Sequence, residues 1–258
     1  MNCMTERVFF TIIIATLNVL DELSACINSI NSQEFTNYEV IISDGGSVDG
    51  TAEYIASRSI SNLAWYKSFK DCGIYDALNI AMDHISGKWI LVIGADDRLT
   101  DPRSLSRAYD EINNLKQDVG IAYGDLIISR NGKTISKTYP NFIEFERKYS
   151  GGAFIHHQTA FIRSSSLVYL TKFSDRYKIH ADYDFILKIT KSSGAHKIKG
   201  AFVIFSSNGV SSKFANLWKS FSEIRSIRKN HGFKPMPFPI YMTYIAIFIR
   251  KIPYLSWI

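Results

Sequence analysis

The sequence predicts an α/β fold built on a doubly wound, mostly parallel sheet. Three observations lead there. Strand-like apolar runs alternate with helix-period segments through the first hundred residues, and those runs are almost continuously hydrophobic. Polar or acidic groups also stand wherever a run ends. A strand buried on both faces has no polar face to show, so unbroken Val, Ile and Leu content is the mark of a parallel sheet covered by helices on both sides.

The elements follow in chain order. Residues 9–15 are β-branched and aromatic, a first strand, and 18–32 place Leu23, Ile27 and Ile30 at helical spacing. A second strand at 38–43 ends in a Gly-rich turn and leads to a helix at 51–58. A third strand (63–68) precedes a helix at 74–84 with Ile74, Leu78, Ala81 and Ile85 on one face. Gly87 is expected to terminate that helix, and 89–93 form the fourth strand. Beyond a helix at 103–116 the pattern changes. Residues 121–129 and 133–139 flank Asn131-Gly132, a dipeptide favoured in tight hairpins, so the second half is expected to be mixed α+β. A strand at 160–162, a helix at 182–191 and a basic amphipathic helix at 214–230 complete it, giving one unit over 1–212 with a C-terminal helical appendage at 213–258.

Composition narrows the function classes. The 258 residues, 46% hydrophobic, can bury a substantial core, and 15 Gly, 6 Pro and no internal period exclude fibrous, disordered and solenoid classes. Cys3, Cys26 and Cys72 are odd in number and lack CxxC spacing, as expected of free thiols in a reducing compartment. The apolar run 8–17 follows a lone Arg7 but leads into a polar turn without a cleavage pattern, so it reads as a strand and the chain as cytoplasmic. The net charge of +6 belongs to the tail. Residues 205–258 hold eight basic groups and one acidic, against 22 and 23 in the rest. A nucleic-acid partner is therefore not expected of the body.

In open parallel sheets ligands bind beyond the carboxyl ends of the strands. Thr16 and Asn18 follow the first strand, Asp44 and SDGGSVDGT the second, and Asp96-Asp97 the fourth. The two glycines permit close backbone approach, Asp44 can accept hydrogen bonds from a base or ribose, and Asp49 suits a helix cap. Adjacent carboxylates at the rim of an apolar strand repel each other unless a counter-charge is present, and Mg²⁺ or Mn²⁺ would supply one.

Taken in order, ATLN, SDGGSVDGT, DCGIYDALNIA and WILVIGADD resemble glycosyltransferase family 2, the GT-A-fold enzymes that use nucleoside-diphosphate sugars, and especially members assembling bacterial surface polysaccharides. The resemblance is strongest over about residues 8–100 and runs more loosely to about 210. It implies a nucleotide-sugar-binding half (1–118) and an acceptor-side half (119–212). Thr16, Asn18, Asp44, Asp76, Asn79 and Asp96 would then bind the donor, a UDP-sugar foremost, with Asp97 as metal ligand. The pattern departs from a literal DxD because Ala95 precedes two aspartates. Further on, HHQTAFI and HADYDFILK resemble the acceptor side of similar enzymes, where the acidic residue opening the helix is the general base. That implies Asp182, a residue whose other reading is a helix cap. His156, His157 and Gln158 are expected near the acceptor or the phosphates.

The implied reaction is inverting transfer to a hydroxyl of a glycan acceptor, one linked to lipid pyrophosphate, in O-antigen, capsule or exopolysaccharide synthesis. The longest nonpolar stretch of the tail, 240–249, is too short to span a bilayer. Its basic and aromatic residues suit peripheral contact with the cytoplasmic face of the inner membrane, or the tail folds back over the body. Two rivals stand beside this reading: a non-catalytic nucleotide-sugar or polysaccharide binding module, and a nucleotidyltransferase, which needs a Gly-rich phosphate loop with a basic residue that 15–20 lack.

Overall fold

The computed structural model describes residues 7–57, 59–130, 133–148, 152, 154–167, 172–206 and 217–235. In chain order the elements are β1 (Phe10–Thr16), α1 (Leu20–Asn31), β2 (Tyr38–Asp44), α2 (Thr51–Ala56), β3 (Leu63–Ser68), α3 (Ile74–Met82), β4 (Trp89–Gly94), β5 (Arg98–Leu99) and α4 (Ser104–Ile112). They continue with β6 (Ile121–Arg130), β7 (Lys133–Lys137), α5 (Phe142–Lys148), β8 (Ala160–Arg163), α6 (Ala181–Ser193), β9 (Ala195–Ser206) and α7 (Leu217–Asn230). Two 3₁₀ turns, His157–Thr159 and Ser164–Leu167, flank β8.

One sheet runs β3-β2-β1-β4-β8-β6-β9-β5, with β7 paired to β6. The first four strands are parallel. β8 is antiparallel to both β4 and β6, and β9 is parallel to β6. The register fixes where chemistry can occur. Thr16 pairs with Asp44, Asp44 with Ser68, and Ala15 with Gly94, so the carboxyl ends of four strands form one edge. β8 runs the other way, with Phe161 opposite Leu91, so its beginning and the His157–Thr159 turn meet that same edge.

Successive strand residues point to opposite faces, and the sheet is buried on both. Ile13, Ile41, Ile90 and Val92 pack with Leu78, Ala81, Phe185 and Ile186. Ile12, Ile14, Val40, Ile42 and Leu91 pack with Leu23, Ile27, Leu105 and Ile112. This explains the continuous hydrophobicity of β1, β2 and β4.

The structure departs from the sequence expectation in two places. α3 ends at Met82, well before Gly87, so Gly87 is no helix terminator. A Cβ at Gly87 would lie 2.5 Å from Thr11 Oγ1 and 2.7 Å from Thr11 N, and close approach is what requires glycine there. β9 and α5 were not expected. β9 carries Lys and Gly between its apolar residues, and α5 is a short helix burying only Phe145. The C-terminal helix is present as α7, and its Ile224 and Ile227 pack into the core with α6. The Asn131-Gly132 turn, 214–216 of the basic helix, and 236–258 lie outside the described residues. Among those described, no helix is long and apolar enough to cross a membrane.

Candidate active site

The Gly-rich loop after β2 is organised by Asp44. Its carboxylate is fully buried and accepts from the amides of Gly46 (3.2 Å) and Ser47 (2.9 Å) and from the hydroxyls of Ser68 (2.6 Å) and Ser47. Three of these donors converge on Oδ2 and one on Oδ1, so of the carboxylate's roughly four acceptor positions one on Oδ1 is left over. Asp44 shapes the loop at the strand end where the sequence reading has it holding a base. Asn18 joins in with φ 52°, donating its amide to Ser47 Oγ (2.7 Å) and accepting from the Val48 amide (2.9 Å). Asp49 accepts from Thr51 and from the Leu20 amide as a local cap, and its carboxyl is lowered mainly by the Thr51 hydroxyl.

Two buried hydroxyls at this edge, Thr16 Oγ1 and Ser43 Oγ, have no hydrogen-bond partner among the described residues. Buried polar atoms are rarely left so, and a ligand lying over the edge would reach Thr16 at the strand end. Lys67 on β3, missed in the sequence because an isolated lysine in a strand carries no signal, is also buried here. Its Nζ lies 3.5 Å from Asp71 Oδ2 and 4.1 Å from the Phe69 ring centroid. Leu17 and Phe69 are exposed and flank Gly45 and Gly46.

Beyond β4 the acidic pair is asymmetric. Asp97 is buried and accepts from the amides of Gly94 (2.7 Å) and Ser206 (3.0 Å), whereas Asp96 is half-buried. Burial, then the charge of Asp96, push the Asp97 carboxyl up to about 7 against the pull of those amides. A divalent cation would relieve that strain, so the pair fits one. Among the described residues no group of three or more His, Cys, Asp or Glu could hold a metal, and phosphate oxygens would have to complete the shell.

Asp182, in the first turn of α6, faces the same edge. Its Oδ2 lies 2.8 Å from His157 Nδ1 and its Oδ1 3.2 Å from the Tyr75 hydroxyl, which is 2.7 Å from the Ile179 carbonyl. Burial opposes the charge of Asp182, yet the His157 hydrogen bond and charge, then the charge of His180 and the Tyr183 amide, bring its carboxyl down to about 2. The Tyr75 hydroxyl is driven well up by burial and by Asp182, so it stays protonated. His157 also exerts its charge on Asp97. Asp97, His157 and Asp182 thus form one electrostatic unit, while Asp44 sits two strands from Asp97 along the edge, about 10 Å by strand spacing.

The remaining expected residues are placed differently. Asp76 accepts from the Cys72 amide (3.0 Å) and closes its own loop. Asn79 engages both its amide atoms on the backbone of Phe173 (2.7 and 2.9 Å), and so fastens α3 to the segment before α6. His156 bonds the Tyr139 hydroxyl through Nδ1 and packs against Phe154. Burial, then Lys137, lower it to about 3, and a neutral ring cannot counter phosphate charge. Gln158 is buried in the 3₁₀ turn.

Residues 11–170, which carry this edge from β1 through β8, match the family model described as glycosyl transferase family 2. The chain belongs to glycosyl transferase family 2. It is a glycosyltransferase with the GT-A fold. Over 182 residues it is 32% identical to a PGL/p-HBAD biosynthesis glycosyltransferase of Mycobacterium bovis, covering 69% of this chain and 68% of that one. Staphylococcus aureus TarS 1-349, solved with UDP-GlcNAc, superimposes with a TM-score of 0.67 at 18% identity, over 94% of this chain and 71% of that 1-349 chain. The mannosyltransferase PcManGT of Pyrobaculum calidifontis, solved with GDP-Man and Mn²⁺, gives 0.64 at 18% identity, over 95% and 70%. Both structures share the family fold.

Proposed function

We propose that this glycosyltransferase moves a sugar, with inversion, from a nucleoside-diphosphate sugar to a hydroxyl of a lipid-pyrophosphate-linked glycan, in the assembly of a bacterial surface polysaccharide. The observation that carries the reading is the Asp182 carboxylate, held ionised by His157 at the edge that also bears Asp96-Asp97. In this reading the donor lies over the ends of β1, β2 and β4, where Thr16 has a hydroxyl to offer. A UDP-sugar is the foremost donor.

Asp97 would hold Mg²⁺ or Mn²⁺ through lone pairs left after its two amide bonds, with Asp96 on the ribose side. The ion would neutralise charge developing on the departing diphosphate. Asp182 takes the proton of the acceptor hydroxyl as it attacks the anomeric carbon from the opposite face. His157 keeps that carboxylate charged and oriented, and Tyr75 fixes its other oxygen.

Peripheral membrane contact is supported by the outer face of α7, where Trp218 is 82% exposed and Lys219, Arg225 and Lys229 are exposed beside it. A thermal-shift screen of UDP-, GDP- and dTDP-sugars with Mn²⁺, followed by NMR of the product linkage, tests the donor and the inversion. Stabilisation by none of the three, or a product of retained anomeric configuration, overturns the reading. Flotation with anionic vesicles, comparing the full chain with one ending at Phe233, tests the membrane contact.

A further inference from the structure

α6 carries the catalytic carboxylate, yet its own N-cap residue, His180, makes no side-chain capping bond. The cap comes from another helix. Glu223 of α7, 8% exposed, accepts from three successive amides: Lys178 at 3.0 Å through Oε1, and Ile179 and His180 at 3.0 Å each through Oε2. Charge-assisted bonds of this kind are roughly twice as strong as neutral ones, and a carboxylate at a helix N-terminus also meets the positive end of the dipole.

The rest of the α7 inner face grips the same helix. Ser220 Oγ lies 2.6 Å from His180 Nε2, His231 Nε2 lies 2.8 Å from Asp184 Oδ1, and Arg228 donates to the Tyr183 hydroxyl (3.0 Å) and the Gly152 carbonyl (3.1 Å). Asp182 lies two residues beyond the last amide that Glu223 holds. The Ile179 residue whose amide Glu223 captures also offers its carbonyl to Tyr75, the hydroxyl that touches Asp182.

We infer that Glu223 is a positioning residue for the transfer reaction: it sets the start of α6, and through it the place of the Asp182 carboxylate between His157 and Tyr75. The inference rests on the assignment of Asp182 as the base. Displacement of a catalytic group by an ångström can cost on the order of 100-fold in rate, whereas among the described residues the hydrogen bonds of Glu223 go to the 178–180 amides and not to the donor edge of β1, β2 and β4. Among the described residues, the charged and titratable groups facing Asp182 are His156 just before the 3₁₀ turn, His157 in it, Tyr75 from α3 and His180 at its own helix start, with Glu223 behind them. If α6 slackens, the His157–Asp182 bond lengthens and the carboxyl rises from its depressed value.

The test compares the full-length native protein with Glu223→Ala, Glu223→Gln and Asp182→Asn, using the UDP-sugar and acceptor that the native enzyme turns over. Glu223→Ala is expected to lower kcat by about 10- to 100-fold, leave the donor dissociation constant within about twofold, and move the acid limb of kcat upward. Glu223→Gln, with one accepting oxygen left, is expected to fall between Glu223→Ala and the native enzyme. Should Glu223→Ala fail to fold, Glu223→Gln decides by the same readouts, joined by faster hydrogen exchange of the 178–180 amides. Native kcat and an unmoved acid limb in the folded Glu223 variants, with Asp182→Asn inactive, overturn the positioning role and leave the base in place. Native transfer by Asp182→Asn overturns the base assignment itself.

Discussion

His157 Nδ1 stands 2.8 Å from Asp182 Oδ2, so a turn leading into β8 holds the carboxylate at the start of α6. The bond and the charge of His157 lower the Asp182 carboxyl against its burial. Its folded value is depressed from 3.8 to about 2, so its contribution to stability is complete above about 4 and is lost as pH falls through 2.

Removing His157 takes away the largest pull against burial at Asp182 and leaves only the charge of His180 and the Tyr183 amide to oppose it. In His157→Ala the carboxyl should therefore rise, the acid limb of kcat/KM should move to higher pH, and kcat should fall by roughly 10- to 100-fold at neutral pH. Asp182→Asn removes the base and should cost on the order of 10²- to 10⁴-fold while donor binding persists. A pH–rate profile of His157→Ala that overlays the native one would show that the pair does not tune the base.

The sheet edge was legible because its signals are local. Continuous Ile and Val marked β1, β2 and β4, and Asp44, Asp96 and Asp97 stood at their ends. What the sequence could not display is how a carboxylate is used. Asp44 and Asp97 look alike in a string, yet the first is bound by four donors of its own loop and β3, while the second accepts two amides and carries the strain of a charged neighbour. Glu223 was invisible as an α6 cap for a different reason: the helices are joined by contacts 43 to 45 residues apart, and no spacing rule reaches that far.

Asp97 gives a prediction about protons. With its carboxyl near 7 and an unfolded value near 3.8, the folded protein binds more protons than the unfolded chain between about pH 4 and 7, so this group makes the metal-free protein less stable as pH rises through that window. At mildly acidic pH Asp97 therefore carries a proton part of the time, and cation binding must expel it. Titration calorimetry of Mn²⁺ with a UDP-sugar, repeated in buffers of contrasting ionisation enthalpy, should report that release at pH 6.5 and little at pH 8.5. Identical heats in all buffers at pH 6.5 would remove Asp97 from the cation site.

Gly87 is held by space. Its amide donates to Thr11 Oγ1 at 2.9 Å and to Glu39 Oε1 at 3.2 Å, and an added methyl would meet the Thr11 backbone as well as its hydroxyl. Backbone cannot swing aside as a side-chain tip can. Gly87→Ala should lower unfolding free energy by about 1–3 kcal/mol in urea titrations, with donor affinity in the folded fraction unchanged. A loss below about 0.5 kcal/mol would show that the 86–87 turn yields.

Thr16 gives the last prediction, in which stability and binding move in opposite directions. Its hydroxyl is buried at the carboxyl end of β1, beside Asp44 in the register, without a partner among the described residues. Burying such a group costs about 1–3 kcal/mol, and replacing it by a methyl of nearly the same shape removes that cost. Thr16→Val should therefore raise the midpoint of unfolding of the ligand-free protein. If the hydroxyl is left open for the nucleotide, the same change should weaken UDP-sugar binding by about 5- to 10-fold, one hydrogen bond's worth. Thermal unfolding with and without donor measures both effects in one experiment. A stabilised variant that binds the donor at native affinity would mean that the nucleotide does not reach Thr16.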